Sequence, residues 1–151
     1  MHMKSKHIIY TAALIITTTL ASFGQKKSEG YDKIVFGSYV VTDVELKEFM
    51  ISKSGDIMFT GRMDKQYSHI GHMEKNAIKE LVAYCNSKQW DDFAKFNPGK
   101  NYQFIRLYTD KQYVEMMWAP AEADAQMNEL FAKLTNAVNG FPLPEIVTAK
   151  K

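Results

Sequence analysis

The sequence predicts an α+β domain, an antiparallel sheet of about five strands with two helices packed on one face. Three observations carry this expectation. Two segments alternate apolar and polar residues on either side of a short turn, as hairpins do. Two others repeat apolar residues at intervals of three and four, the period of a helix with one buried side. The order along the chain is strand, hairpin, helix, hairpin, helix, whereas a doubly wound sheet would alternate single strands with helices.

The chain opens on a different kind of segment. Lys4 and Lys6 make a short basic start, and an uncharged run from Ile8 to Leu20 follows. A helix needs roughly twenty apolar residues to cross a bilayer core of about 30 Å, so this run is too short, and Thr11, Thr17, Thr18 and Thr19 dilute it. It has the anatomy of a secretory signal: basic region, apolar region, then small residues at Ala21, Ser22 and Gly24. The short apolar region and small-residue site resemble the signals of Gram-negative envelope proteins. No cysteine stands at the cut site, which disfavours a lipoprotein. The expected organisation is a cleaved signal at 1–24, a polar leader at 25–30, one α+β domain at 31–142 and a tail at 143–151. The expected destination is the periplasm or the medium.

Each element then has a local reason. Tyr31–Val41 is rich in β-branched and aromatic residues and predicts a strand, broken near Gly37. Val44–Met63 predicts a hairpin turning on Lys53, Ser54 and Gly55, with glycine in the left-handed position. That register sets Phe49 against Phe59 and Ile51 against Ile57 on the core side. Glu48 then faces Thr60, and Met50 faces Met58, on the more polar side. From Glu74 to about Lys88, Ala77, Ile78, Leu81, Val82 and Cys85 recur at helical spacing. Trp90, Phe93 and Phe96 suggest a further short turn, and Asn97-Pro98-Gly99-Lys100 stops the chain.

Asn101–Trp118 predicts the second hairpin, turning at Asp110-Lys111. Leu107 then meets Val114 and Ile105 meets Met116 on the core side, while Arg106 meets Glu115 and Tyr108 meets Tyr113 on the other. Pro120 is placed to open the last helix, where its missing N–H matters least. Met127, Leu130, Phe131, Leu134 and Val138 form the buried stripe, and Gly140 with Pro142 ends it.

Charge narrows the function. Removing Lys4 and Lys6 with the signal leaves 17 basic residues against 17 acids, so the remaining chain carries no net charge. Nucleic-acid binding normally requires a basic face, and neither nucleic acid nor anionic lipid is favoured. The 46% apolar content supports a folded core rather than extended disorder. Cys85 is the sole cysteine, so no internal disulfide can form, and its place on an apolar stripe predicts a buried structural thiol.

Asp91-Asp92 is a pair of acids, but neighbours in sequence point apart, whereas a glycosidase sets its carboxylates across one gap. No nucleophile elbow, phosphate-cradling glycine loop or zinc-type Cys/His set occurs, so no catalytic residue and no cofactor is expected. His69 and His72, three apart in a segment that Gly71 predicts to be a loop, and Met73 are the weak candidates for a metal, since imidazole and thioether together suit copper. Met50, Met58, Met116, Met117 and Met127 fall within elements, where thioethers fill core gaps.

The second hairpin offers the best contact surface. Phe104, Arg106, Tyr108, Tyr113 and Glu115 share its outer side by strand alternation, and Tyr, Arg and Phe are enriched at protein interfaces. The same residues would also suit a half-buried sheet face beneath a loop. The expected function is a non-catalytic envelope or extracellular protein that binds a protein partner through this face. An inhibitor or immunity protein would be one such class. A copper-handling protein using His69, His72 and Met73 is the alternative from another class, and an enzyme of unfamiliar type is the third.

Overall fold

The computed structural model describes residues 30–61, 63, 65–93, 96–97 and 99–145, with the backbone alone at 96–97. The expected signal segment, nearly all of the leader, Pro98 and the end of the tail lie outside the described residues. Six strands form an antiparallel sheet: β1 Lys33–Val40, β2 Glu45–Ser52, β3 Asp56–Thr60, β4 Ser68–His72, β6 Asn101–Tyr108 and β7 Tyr113–Trp118. A two-residue strand, β5 Phe96–Asn97, adds to β7 in parallel. The spatial order is β4-β3-β2-β1-β6-β7-β5. Helices α1 Lys75–Asn86 and α2 Ala125–Val138 complete an α+β fold. No helix among the described residues is long and apolar enough to cross a membrane.

Alternation along the strands divides the sheet into two faces. Ile34, Phe36, Ile51, Ile57, Ile105, Leu107, Val114 and Met116 point one way and are buried with Ile78, Leu81 and Cys85 of α1 and Met127, Leu130 and Leu134 of α2. Both helices therefore cover the same side. Phe36 stacks on Phe49 at 5.3 Å and meets Phe131 edge-on at 6.1 Å, joining sheet to helix. Ala77 departs from the expected stripe and is exposed, because the helix rests on the sheet through Ile78, Leu81 and Cys85.

Both hairpins have the registers that alternation predicts: Phe49 with Phe59 and Ile51 with Ile57 in one, Leu107 with Val114 and Arg106 with Glu115 in the other. The first turns through Gly55 at φ +103°, the left-handed region where a side chain would be strained. The second closes with the Thr109 N–H donating to the Gln112 carbonyl at 2.8 Å.

Three local expectations need correction. β1 is not broken at Gly37 but runs through it. A Cβ there would sit 1.9 Å from the Lys47 carbonyl oxygen, so glycine permits the close crossing of β1 and β2 rather than interrupting the strand. His69 and His72 lie not in a loop but on β4, a short polar strand formed by pairing with β3. Its Gly71 leaves room for the Phe141 ring, which an added Cβ would approach to 2.1 Å. Pro120 opens a separate 3-10 turn, Pro120–Glu122, and α2 begins only after Asp124. The Asp124 carboxylate accepts from the Gln126 N–H at 2.7 Å, a side-chain cap that proline cannot supply.

Candidate functional site

The face of the sheet opposite the helices carries the candidate contact residues. Strand order brings Tyr102, Phe104, Arg106 and Tyr108 of β6 beside Tyr113, Glu115 and Met117 of β7 and beside Lys33, Val35 and Tyr39 of β1. Across β1, Leu46, Glu48 and Met50 of β2 continue the same face. This surface has two unlike halves.

One half is closed. Phe104 is 1% exposed and is buried with Val35, Leu46 and Met117, so its expected place in an open contact patch is wrong. The Arg106 guanidinium lies 4.7 Å above its ring, and Tyr102 packs at 6.1 Å. Phe104 pairs with Gly37 across the ladder.

Beside it sits a buried ion cluster that residue spacing did not foretell. Glu48 is 2% exposed. It accepts hydrogen bonds from the Tyr67 hydroxyl and from the Lys65 ammonium at 3.3 Å, and Arg106 approaches it at 3.6 Å. Arg106 also donates through Nε to Glu115 at 2.6 Å. Tyr67 and Lys65 belong to the connection between β3 and β4, which comes back over the sheet, and Lys65 takes a left-handed φ of +53° there. Strand alternation could have placed Glu48 on the face of Arg106. The loop that supplies the other two donors has no periodicity to read.

Electrostatics follow from this packing. Burial pushes the Tyr67 phenol well above its ordinary range, and the bond to Glu48 adds to it, so Tyr67 stays a donor. Burial also raises Tyr102 and Tyr108. For Arg106 burial works against the charge, but the bond to Glu115 and the charges of Glu115 and Glu48 outweigh it and hold the guanidinium above its usual value. The cluster is thus a set of satisfied charges that locks β2, β6, β7 and the loop together.

The other half is open. Tyr113 is 56% exposed and stacks on Tyr108, ring centroids 5.2 Å apart and planes 24° from parallel. The Lys33 ammonium lies 4.1 Å from the centre of the Tyr108 ring, a cation–π contact on its other neighbour strand. Arg106 and Glu115 are partly exposed beside this stack. Of the five expected contact residues, the structure brings Arg106, Tyr108, Tyr113 and Glu115 together at an accessible surface and withdraws Phe104 from it.

The histidine pair lies elsewhere. A bulge in the β3–β4 ladder, where pairing passes from Ile57–Gly71 to Met58–His69, turns His69 and His72 to the same carboxylate. His72 Nδ1 lies 3.1 Å and His69 Nε2 3.7 Å from Asp56 Oδ1. The other carboxylate oxygen accepts from the Ser54 hydroxyl at 2.6 Å. Asp56 is thereby held below its ordinary pKa, first by the Ser54 bond and then by His72. Met73 does not join them but is buried in the core. Among the described residues no group of three or more His, Cys, Asp and Glu side chains is placed to hold a metal.

Cys85 is fully buried on α1, and burial pushes its thiol up to about 12, far from a reactive thiolate at neutral pH. Asp91 and Asp92 are exposed on the 3-10 turn Trp90–Phe93, whose Trp90 indole donates to the Cys85 carbonyl at 2.7 Å. No protein-family model matches the chain, and no curated protein matches it by sequence.

Proposed function

We propose that this is an exported, non-catalytic protein of the bacterial envelope or its surroundings that binds a protein partner through the open half of the second hairpin's outer face. The observation that carries this reading is the Tyr108–Tyr113 stack, its outer ring exposed and its inner ring held by Lys33. Tyrosine presents a large amphipathic surface for the loss of few rotamers, and here the neighbouring ion cluster fixes the strands beneath it. Arg106 and Glu115 are partly exposed at the border and would supply charged contacts for orientation. The signal-like start, with small residues at Ser22 and Gly24, supports export and a mature chain beginning near Gln25.

Capture from the native envelope with the protein as bait tests the reading. Anchor tyrosines typically cost about 2 kcal/mol or more when truncated, a loss exceeding tenfold in affinity. Tyr113→Ala should therefore weaken capture of the same partner at least about tenfold while thermal unfolding stays unchanged. A partner held equally well by Tyr113→Ala and Tyr108→Ala would place the contact elsewhere.

A further inference from the structure

On the other side of the molecule a groove of about 600 Å³ runs between α1 and the β2–β3 turn. One wall is a single helical stripe, from Lys75 through Ile78 and Lys79 to Val82, and the other is the turn at Lys53 with His72 beside it. The stripe continues to Asn86, eleven positions on, about 16 Å at the helical rise. Its volume falls within the usual range of small-molecule sites.

Two properties of the groove point to the same ligand chemistry. Its described lining contains three lysines and no carboxylate, above an apolar floor of Ile78, Val82 and Ala83. In addition, α1 begins with Lys75 and has no acid in its first turn. The amino end of a helix carries partial positive charge and ordinarily attracts acidic side chains. The N-cap residue Glu74 makes no side-chain cap hydrogen bond, and Lys75 and Lys79 add their positive charge within the first five residues of the helix. Lys53 already holds Asp32 at 3.1 Å, so the head-group role falls to the two helix lysines, both exposed.

We propose that this groove binds an anionic amphiphile of the fatty-acid class, its tail along Ile78 and Val82 and its carboxylate between Lys75 and Lys79. Burial of the tail supplies the apolar contribution to binding, and the lysines select the sign of the head group. This site is separate from the tyrosine stack and stands independently of the protein-binding proposal.

The test is calorimetric titration of the purified protein with dodecanoate below its micelle-forming concentration, alongside dodecyltrimethylammonium, which has the same tail and the opposite charge. We expect saturable binding of dodecanoate in the micromolar range and none of the cationic amphiphile. The double charge reversal Lys75→Glu/Lys79→Glu should weaken dodecanoate at least tenfold, and Val82→Asp should do the same from the apolar floor. Lys75→Gln/Lys79→Gln gives a milder loss in the same direction and guards against a folding defect, which thermal unfolding would reveal. Absence of binding, equal affinity for both amphiphiles, or indifference to all three variants overturns the proposal. A dimer in sedimentation that Val82→Asp dissociates and dodecanoate leaves intact also overturns it, in favour of a second copy as the occupant.

Discussion

Replacing Arg106 by Met should be among the most damaging single changes outside the apolar core. Arg106 stands between two carboxylates, 2.6 Å from Glu115 and 3.6 Å from Glu48. Glu115 is partly exposed and can recover water, but Glu48 is 2% exposed and cannot. Removing one partner of a buried ion pair costs roughly 3–5 kcal/mol, mainly because the remaining charge loses its compensation. Lys65 and Tyr67 still reach Glu48, which places the expected loss near the lower end, about 3 kcal/mol. The side chain of Met keeps much of Arg's apolar length, so lost packing on Phe104 contributes less than lost charge. Urea unfolding at neutral pH reads the loss as a lower midpoint at an unchanged slope. Glu48→Met in the same background removes the stranded charge. The double variant should then be more stable than the sum of the single losses predicts, by about 1–3 kcal/mol of coupling. A loss below about 1 kcal/mol for Arg106→Met, the range of an exposed pair, would refute the reasoning. So would strict additivity in the double variant.

Other expectations rest on single sites. Leu107→Ala, in the core against Ile34 and Val114, should cost roughly 2–5 kcal/mol in urea unfolding, whereas Tyr113→Ala on the next strand should cost little. Cys85 should resist thiol reagents in the native protein, and Cys85→Ala should cost on the order of 1 kcal/mol. The folded thiol titrates at about 12 against an ordinary 9.0, so its contribution is complete below pH 9.0 and is lost as pH rises toward 12. Cys85→Ala should accordingly flatten the alkaline limb of the stability profile, and an unchanged limb would show that the thiol is solvated. Asp56 has the opposite sign: its folded pKa lies below the ordinary 3.8, so its contribution is present above that value and lost as pH falls through the folded one. Asp56→Asn should reduce the acid sensitivity of unfolding below about pH 4, and an identical acid limb would count against the Ser54 and His72 contacts.

Much of this fold was legible because alternation and helical period record burial directly. The pairs Phe49–Phe59 and Arg106–Glu115 follow from turn position and the two-residue period alone. β4 was not legible, since Ser68-His69-Ile70-Gly71-His72 has no strand-like alternation and becomes a strand only because β3 offers an edge. Gly37 departs from its expected role for a related reason: a glycine within a strand can mark either a break or a close approach, and only the neighbouring Lys47 carbonyl decides between them. At the contact face, sequence gave the correct side for all five residues but not their depth. Phe104 is buried by Arg106 and Tyr102, and no periodicity along one strand reports what lies above it. Glu48, Lys65 and Tyr67 were missed together, because a loop's return path is a tertiary property.

The strand order also fixes when the parts of the molecule can come together. β1 lies at the centre of the sheet, yet its two neighbours are reached at very different times along the chain. β2 follows at once through a short turn, and β3 and β4 extend the same meander, so this half needs only local loop closure. β6 arrives after α1 and the 3-10 turn, and it pairs with β1 along its whole length from Lys33–Tyr108 to Val40–Asn101. Closing that seam brings together the most distant partners in the sheet and carries the greatest chain-entropy cost, which makes it the expected slow event. Until then one edge of Ile34-Val35-Phe36 stands unpaired, an apolar strand open to other chains. The interval between making the centre of the sheet and sealing it is therefore when this protein is most exposed to aggregation.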